Sequence, residues 1–96
     1  MQKKIVVYDS GIGGASILKK IMMLLPNYDY LYFADTKNSP YGTKTKAEIL
    51  QVVLNNILSI NKNGEIGLLV LACNTATSVC CKNLRSMFSF PIVGVE

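Results

Sequence analysis

The stretch Leu68-Leu69-Val70-Leu71-Ala72-Cys73-Asn74-Thr75-Ala76-Thr77-Ser78 contains the junction that decides the fold. Its first five residues are apolar and predict a buried strand, and the polar residues after Cys73 indicate the start of a helix. A thiol at that junction faces the free N–H groups and the positive end of the helix, which favour its thiolate form. The same N–H groups can hold an anion such as a carboxylate. Because cysteine is also a common space-filling core residue, the junction alone leaves a functional and a packing role open.

Strand and helix patterns alternate along the rest of the chain. Short apolar, β-branched or aromatic runs predict strands at 5–8, 28–34, 66–72 and 91–95. Apolar residues at helical spacing predict helices at 15–25, from a cap at Thr45 to the polar segment 61–64, and at 75–87. The order βαβαβαβ, with short connections, is typical of an α/β fold in which a parallel sheet is flanked by helices.

The second predicted helix has the clearest local signals. Thr45 and Glu48 stand three residues apart at its start and predict a capping box, in which each side chain binds the other residue's backbone N–H. Apolar residues at 50, 53, 54, 57 and 58 form the stripe that we expect to face the sheet.

Composition narrows the class of protein. The chain has 96 residues, of which 50% are hydrophobic and 17% charged, and its formal net charge is +4. That length allows one small domain or part of a larger one, and such an apolar composition is expected to leave apolar surface for further protein or a partner chain. The basic residues are scattered rather than arranged in a stripe, which argues against nucleic-acid binding.

Cysteine usage and hydropathy indicate the compartment. The three cysteines show no framework spacing, and histidine is absent, which argues against structural disulfides and a zinc site. The apolar runs are far shorter than the roughly 20 residues needed to cross a bilayer, and the first residues lack the form of a signal peptide. These features predict a reduced, cytoplasmic setting with no membrane partner.

Polar loops follow three of the predicted strands at their carboxyl ends. Asp9-Ser10 follows the first strand, the segment 35–42 the second, and Cys73-Asn74-Thr75 the third. Since ligands of open parallel sheets bind at that edge, we expect the three loops to share one cleft. Asp9 would repel a phosphate and suits an amine, while helix N-termini suit a carboxylate. An amino acid carries both groups and is the predicted ligand.

The glycines at 11, 13 and 14 invite a comparison with nucleotide-binding loops. They lack the spacing of the dinucleotide fingerprint and the lysine of a phosphate-binding loop. We therefore interpret them as the residues that allow a tight turn between strand and helix.

Four segments, in this order, resemble the glutamate racemases. They are VYDSGIGG at 7–14, FADTKNSPYGTK at 33–44, ACNTAT at 72–77 and PIVGVE at 91–96. The resemblance covers nearly the whole chain. It implies a cofactor-independent isomerase without a metal, which interconverts L- and D-glutamate and supplies the D-isomer for peptidoglycan.

The resemblance also implies a domain organisation and a site. Family members pair two similar α/β domains around the active site, so that residues 1–96 are expected to form the N-terminal part of the first domain, with the remainder of the enzyme absent. Cys73 is implied to be one of two thiols that exchange the α-proton. The implied substrate-contacting residues are Asp9, Ser10, Tyr41, Gly42, Asn74 and Thr75. The implied partner is glutamate, with neither nucleic acid nor membrane involved, and a homo-oligomer is left open.

The chemistry of racemisation explains why a second thiol is needed. A proton leaves one face of the α-carbon and another is delivered to the opposite face, so acid/base groups must flank the carbon. Cys80 and Cys81 follow Cys73 on the same predicted helix and would approach from the same side, so the chain alone is expected to be inactive.

Two alternatives stay open at this stage. One is an aspartate racemase or another amino-acid racemase of the same superfamily, although the Pro40-Tyr41-Gly42 loop favours glutamate. The other is a non-catalytic module that binds a small anion at the glycine turn and the third helix.

Overall fold

The computed structural model describes residues 3–11 and 13–95. Ile12 of the glycine turn and Glu96 of the last family segment lie outside these residues. Within them the elements are β1 (Lys4–Asp9), α1 (Ala15–Leu24), β2 (Asp29–Ala34), a short 3₁₀ turn (Tyr41–Thr43), α2 (Lys46–Lys62), β3 (Ile66–Leu71), α3 (Asn74–Met87) and β4 (Ile92–Gly94). The predicted alternation of strands and helices is confirmed, with boundaries shifted by about a residue.

The four strands form one parallel sheet in the order β2-β1-β3-β4, which confirms the predicted α/β class. The register sets Asp9 level with Ala34 of β2 and Tyr8 level with Leu71 of β3. Beyond the strand ends the ladder continues, since the Asp35 N–H donates to the Asp9 carbonyl at 2.8 Å and the Ala72 N–H to the Tyr8 carbonyl at 2.8 Å. The loops after β1, β2 and β3 therefore leave the same edge of the sheet, as predicted.

The two faces of the sheet are covered unequally. On one face the buried residues Val6, Tyr8 and Leu69 pack beneath α2 and α3, and each fully buried apolar side chain contributes about 2 kcal/mol. On the other face Ile5, Val7 and Val70 pack against Ile17, Leu18 and Ile21 of α1. None of the residues of α1 is fully buried.

The predicted stripe of α2 is confirmed at Val53 and Ile57, which are buried, and wrong at Leu58. The structure buries Ile49, Val53, Ile57 and Ile60, whereas Leu58 is 49% exposed. Leu50 and Leu54 are half-buried beside the core. Apolar residues occupy more of this helix than one face, so periodicity alone could not determine which of them face the sheet.

The predicted capping box is confirmed. The Glu48 N–H donates to the Thr45 hydroxyl at 3.1 Å, and the Thr45 N–H donates to a Glu48 carboxylate oxygen at 2.8 Å. The helices in the described part of the chain are all too short or too polar to cross a membrane.

Candidate active site

Cys73 is the residue that joins β3 to α3. It has extended backbone angles (φ −111°, ψ 125°) and occupies the N-cap position, where its carbonyl accepts the first helical hydrogen bond from the Thr77 N–H at 2.9 Å. The Thr77 hydroxyl donates to the same carbonyl at 2.9 Å, which fixes the turn from a second side. The sulfur makes no capping hydrogen bond to the described backbone and is half-buried at the edge of the sheet.

Ser10 is the polar neighbour of the Cys73 sulfur. Its Oγ lies 3.2 Å from Sγ, although 63 residues separate the two in sequence. The sheet register explains the contact, since Tyr8 is level with Leu71, and Ser10 and Cys73 each follow two positions later. A hydroxyl can donate to a thiolate or accept from a thiol, so Ser10 can serve both protonation states of an acid/base group.

The Asp9 carboxylate closes the turn that leads into α1. It is 5% exposed, and its oxygens accept from the Ser10 N–H at 2.8 Å and from the Gly14 N–H. The Tyr32 hydroxyl approaches at 3.5 Å, and burial together with the Asp9 charge raises the pKa of Tyr32. Alternation along β1 directs Asp9 toward α1, on the side away from Tyr8. The contact of Asp9 with a substrate amine stays a prediction.

The glycine turn needs a residue without a side chain at position 14. A Cβ placed on Gly14 would lie 2.9 Å from the Ala72 Cβ and 3.1 Å from an Asp9 carboxylate oxygen. Gly14 therefore allows α1 to begin directly against Ala72, the residue that follows β3 and precedes Cys73.

Tyr41 is buried below the sheet edge. Its side chain is 2% exposed, with its oxygen 2.6 Å from the Tyr8 hydroxyl, and it donates to the Asp35 carboxylate. Burial, followed by the hydrogen bonds to Asp35 and Tyr8, raises the pKa of Tyr41. A substrate contact from this position would thus come from the backbone of Tyr41 and the exposed Gly42 rather than from the phenol.

Asn74 and Thr75 are the first two residues of α3. Asn74 is exposed and Thr75 is half-buried, and the first N–H groups of a helix have no partner within the helix. The structure thus brings Ser10, Cys73 and the start of α3 together at one edge of the sheet. This group can bind an anion beside a thiol and exchange a proton with it.

The other two cysteines stand apart from this group. Cys80 is fully buried, and burial raises the pKa of its thiol to about 11. Cys81 is half-buried, and eight residues of helix separate it from Cys73 by roughly 12 Å along the axis. Neither can face Cys73 across a single carbon atom.

Sequence reasoning missed two residues of this region. Asp35 comes directly after β2, beside Asp9 at the end of β1. Asn56 lies on α2 between the buried Val53 and Ile57. Asp35 accepts a hydrogen bond from the Tyr41 hydroxyl, and the Asn56 amide donates to the Tyr8 hydroxyl and to Asp35. The signal for Asn56 was its place between the apolar positions 53 and 57 of the predicted stripe.

The fold and this site define an α/β protein with a thiol at the carboxyl edge of a parallel sheet. No protein-family model matches the chain. Over 93 residues, 97% of the chain, it is 50% identical to the glutamate racemase of Halothermothrix orenii, and over 94 residues, 98% of the chain, it is 48% identical to that of Clostridium botulinum. In both comparisons the chain spans 36% of the relative.

Solved structures agree with the curated relatives. The structure of Escherichia coli glutamate racemase in complex with L-glutamate and the activator UDP-MurNAc-ala matches 99% of the chain and 36% of its own, with a TM-score of 0.94 and 39% identity. The Thermus thermophilus glutamate racemase in complex with β-chloro-D-alanine matches 97% of the chain and 36% of its own, with a TM-score of 0.89 and 36% identity. The chain is thus a homologue of the glutamate racemases that spans about a third of their length.

Proposed function

We propose that these residues supply one half of the active site of a glutamate racemase, with Cys73 as one of its two acid/base groups. The observation that carries the proposal is the pair formed by the Ser10 hydroxyl and the Cys73 sulfur, 3.2 Å apart at the start of α3. It occurs in a chain that is 50% identical to a glutamate racemase over 97% of its length.

The Cys73 thiolate removes the α-proton of one enantiomer, and the thiol returns a proton to the same face in the reverse direction. Negative charge then develops on the substrate beside its carboxylate. The N–H groups of Asn74 and Thr75, at the positive end of α3, are suited to bind that charge.

The remaining residues of the site orient the thiol and the substrate. Ser10 hydrogen-bonds the sulfur in both states, and the backbone of Tyr41 and Gly42 contacts the substrate from the neighbouring loop. Asp9 is suited to the substrate's ammonium group. The reaction needs no cofactor in this scheme.

The second acid/base thiol is proposed to come from chain outside residues 1–96, which form the N-terminal part of the first of two similar α/β domains. The burial of Cys80 and the distance of Cys81 along α3 support this division, because neither thiol can reach the opposite face of a bound glutamate.

The biological role proposed on the same basis is the supply of D-glutamate for peptidoglycan, and hence for cell shape, in the cytoplasm. The E. coli relative was solved with L-glutamate and with an activator that contains a MurNAc group, which supports glutamate as the partner and a link to cell-wall synthesis. A homo-oligomer is compatible with the exposed apolar residues of α1, of which Met23 and Leu24 are each 77% exposed.

A chimera tests the proposal directly. Residues 1–96 replace the matching segment of the H. orenii glutamate racemase, and conversion of L- to D-glutamate is followed by circular dichroism. The chimera is expected to racemise glutamate, and Cys73→Ser is expected to lower the rate by about 10³-fold or more, because a serine hydroxyl is too weak an acid to replace the thiol.

Cys81→Ser, which changes another thiol of α3, is the matched control and is expected to leave the rate unchanged. A folded chimera that turns over no glutamate, and binds it equally well with and without the Cys73→Ser substitution, would favour a binding module instead. A chimera that racemises aspartate faster than glutamate would favour a related racemase.

A further inference from the structure

The Asp35 carboxylate is the centre of a buried hydrogen-bond cluster that the proposed chemistry does not use. The side chain is 4% exposed. One of its oxygens accepts from the Tyr41 hydroxyl and from the Asn56 amide at 3.0 Å, and the other accepts from the Asn38 amide at 3.0 Å and from the Asn38 N–H at 3.3 Å. These donors are all neutral, so the carboxylate is held by hydrogen bonds rather than by a cation.

Two further hydroxyl contacts extend this cluster to the sheet. The Asn56 amide also donates to the Tyr8 hydroxyl at 2.9 Å, and the oxygens of Tyr8 and Tyr41 are 2.6 Å apart. Because the Tyr41 hydroxyl donates its hydrogen bond to Asp35, its oxygen accepts one from the Tyr8 hydroxyl. The Tyr8 oxygen in turn accepts a hydrogen bond from the Asn56 amide. No buried side-chain nitrogen or oxygen in the described part of the chain lacks a partner, so the cluster is complete.

The segment 36–43 is attached to the protein by the Tyr41 ring, which packs in the core, and by the hydrogen bonds of this cluster. Among its residues Tyr41 alone is buried, and most of the others are exposed. Its other side-chain hydrogen bonds are local, from Ser39 to the Thr36 carbonyl and from Thr43 to the Pro40 carbonyl. The side-chain bonds that connect the segment to residues before it on β1 and after it on α2 run through Asp35 and Tyr41.

We infer that Asp35 is a positioning residue that fixes the segment 36–43 at the carboxyl edge of the sheet, acting through Tyr41 and Asn56. The part of the inference that concerns substrate binding by Gly42 rests on the proposed function. The order of the segment itself does not, because it depends only on contacts within the chain.

Backbone amide exchange of the 96-residue chain, measured by NMR, tests the inference. Asn56→Ala removes the amide that joins Asp35 to Tyr8, and Asn55→Ala, at an exposed position of the same helix, is the matched control. Asn56→Ala is expected to speed exchange about tenfold at the amides of Asn38 and Lys44, which donate to Asp35 and to the Tyr41 carbonyl, while amides of β1 and β3 change less than about threefold. The control is expected to change neither.

Tyr41→Phe is the second variant, because it removes a single oxygen and keeps the buried ring. It is expected to give the same local increase, and combining it with Asp35→Asn is expected to add little, since both remove the same hydrogen bond. If the segment exchanges at the unchanged rate in folded Tyr41→Phe, the inference is overturned. An equal increase in the segment and the sheet would also overturn it, because the cluster would then serve only global stability.

An L-glutamate titration of the same samples separates this inference from the proposed function. Shifts of the Gly42, Asn74 and Thr75 amides that weaken in Tyr41→Phe would support both. If unmodified chain shows no glutamate-dependent shift, glutamate binding by the isolated chain fails, while the exchange rates still decide the role of Asp35.

Discussion

At the carboxyl edge of the sheet, Ser10 and Cys73 are proposed to carry the chemistry, while neighbouring side chains hold the turns in place. Ser10 and Cys73 face each other at 3.2 Å, and the neighbouring Asp9 has both oxygens engaged in the turn between β1 and α1. The position of Cys73 was predictable, because an apolar run ends there and a polar helix start follows. Its contact with Ser10 was not, since it depends on the register of two strands that are distant in sequence.

Gly14 gives a prediction about how this edge is assembled. Gly14→Ala is expected to lower the free energy of unfolding by about 1–3 kcal/mol, because the new methyl group would overlap the Ala72 Cβ at 2.9 Å and crowd Asp9. Gly11→Ala, where nothing lies within 4 Å of an added Cβ, is the matched control and is expected to change it by less than about 0.5 kcal/mol.

Urea unfolding followed by far-UV circular dichroism measures both variants. Equal stabilities of Gly14→Ala and Gly11→Ala would show that the turn relaxes to accept a side chain, contrary to this prediction.

Among the secondary-structure elements, α2 shows most clearly what sequence could and could not supply. Thr45 and Glu48 predicted its start because a capping box depends only on residues three positions apart. Periodicity predicted the buried Val53 and Ile57, but apolar residues extend around the helix. Packing against the sheet and α3 also buries Ile49 and Ile60 and leaves Leu58 exposed. The same packing places Asn56 beside Tyr8 and Asp35, which the periodicity of one helix does not show because the partners lie on other elements.

The cap of α2 allows a direct measurement. Thr45→Ala removes the hydroxyl that accepts the Glu48 N–H and is expected to destabilise the protein by about 1 kcal/mol. Glu48→Gln keeps an oxygen for the Thr45 N–H and is expected to cost less. Chemical unfolding midpoints give both values, and a Thr45→Ala midpoint equal to that of the unmodified chain would contradict the assigned role of the cap.

For the whole molecule, the unequal cover of the sheet matches the apolar composition. Met22 and Tyr28 are 45% and 52% exposed near the end of α1, and Val93 of the edge strand β4 is 51% exposed. The other face has a continuous core in which polar and thiol groups are buried together. Among them Tyr8 and Cys80 have 0% exposure, and this links the stability of the protein to pH.

Stability is expected to fall as the pH rises from about 9 to 12. Burial raises the pKa of Cys80 from 9.0 to about 11 and that of Tyr8 from 10.0 to about 12. Below pH 9 both groups are neutral in the folded and unfolded chains, so their full contribution to the free energy of unfolding is present. Above it the unfolded chain loses these protons first, which favours unfolding by about 3 kcal/mol for each group once the pH exceeds the folded value.

Urea unfolding at a series of pH values measures this loss. In Cys80→Ala the decline between pH 9 and 11 should be shallower, while Cys81→Ala, which removes a half-buried thiol of the same helix, controls for loss of a thiol. A decline of the same slope in Cys80→Ala would exclude Cys80 as its source.

The isolated chain of 96 residues is expected not to racemise glutamate. In the proposed mechanism Cys73 serves one face of the α-carbon. Cys80 is fully buried and Cys81 lies roughly 12 Å further along α3, so neither of these thiols can serve the other face. Water also reaches the site, where Ser10 and Cys73 are only half-buried, and it weakens every electrostatic contact meant for the developing charge.

The measurement is proton NMR of L-glutamate in deuterated water, with and without the chain. Loss of the α-proton signal should not exceed that of a buffer control. Two copies related by a two-fold axis could in principle present two Cys73 thiols to one substrate, and this arrangement would show itself as exchange that rises with the square of protein concentration and disappears in Cys73→Ser. Exchange of that kind would contradict the prediction, whereas exchange that persists in Cys73→Ser would have to come from a contaminant. The absence of exchange, combined with an active chimera, would locate the missing acid/base group outside these residues.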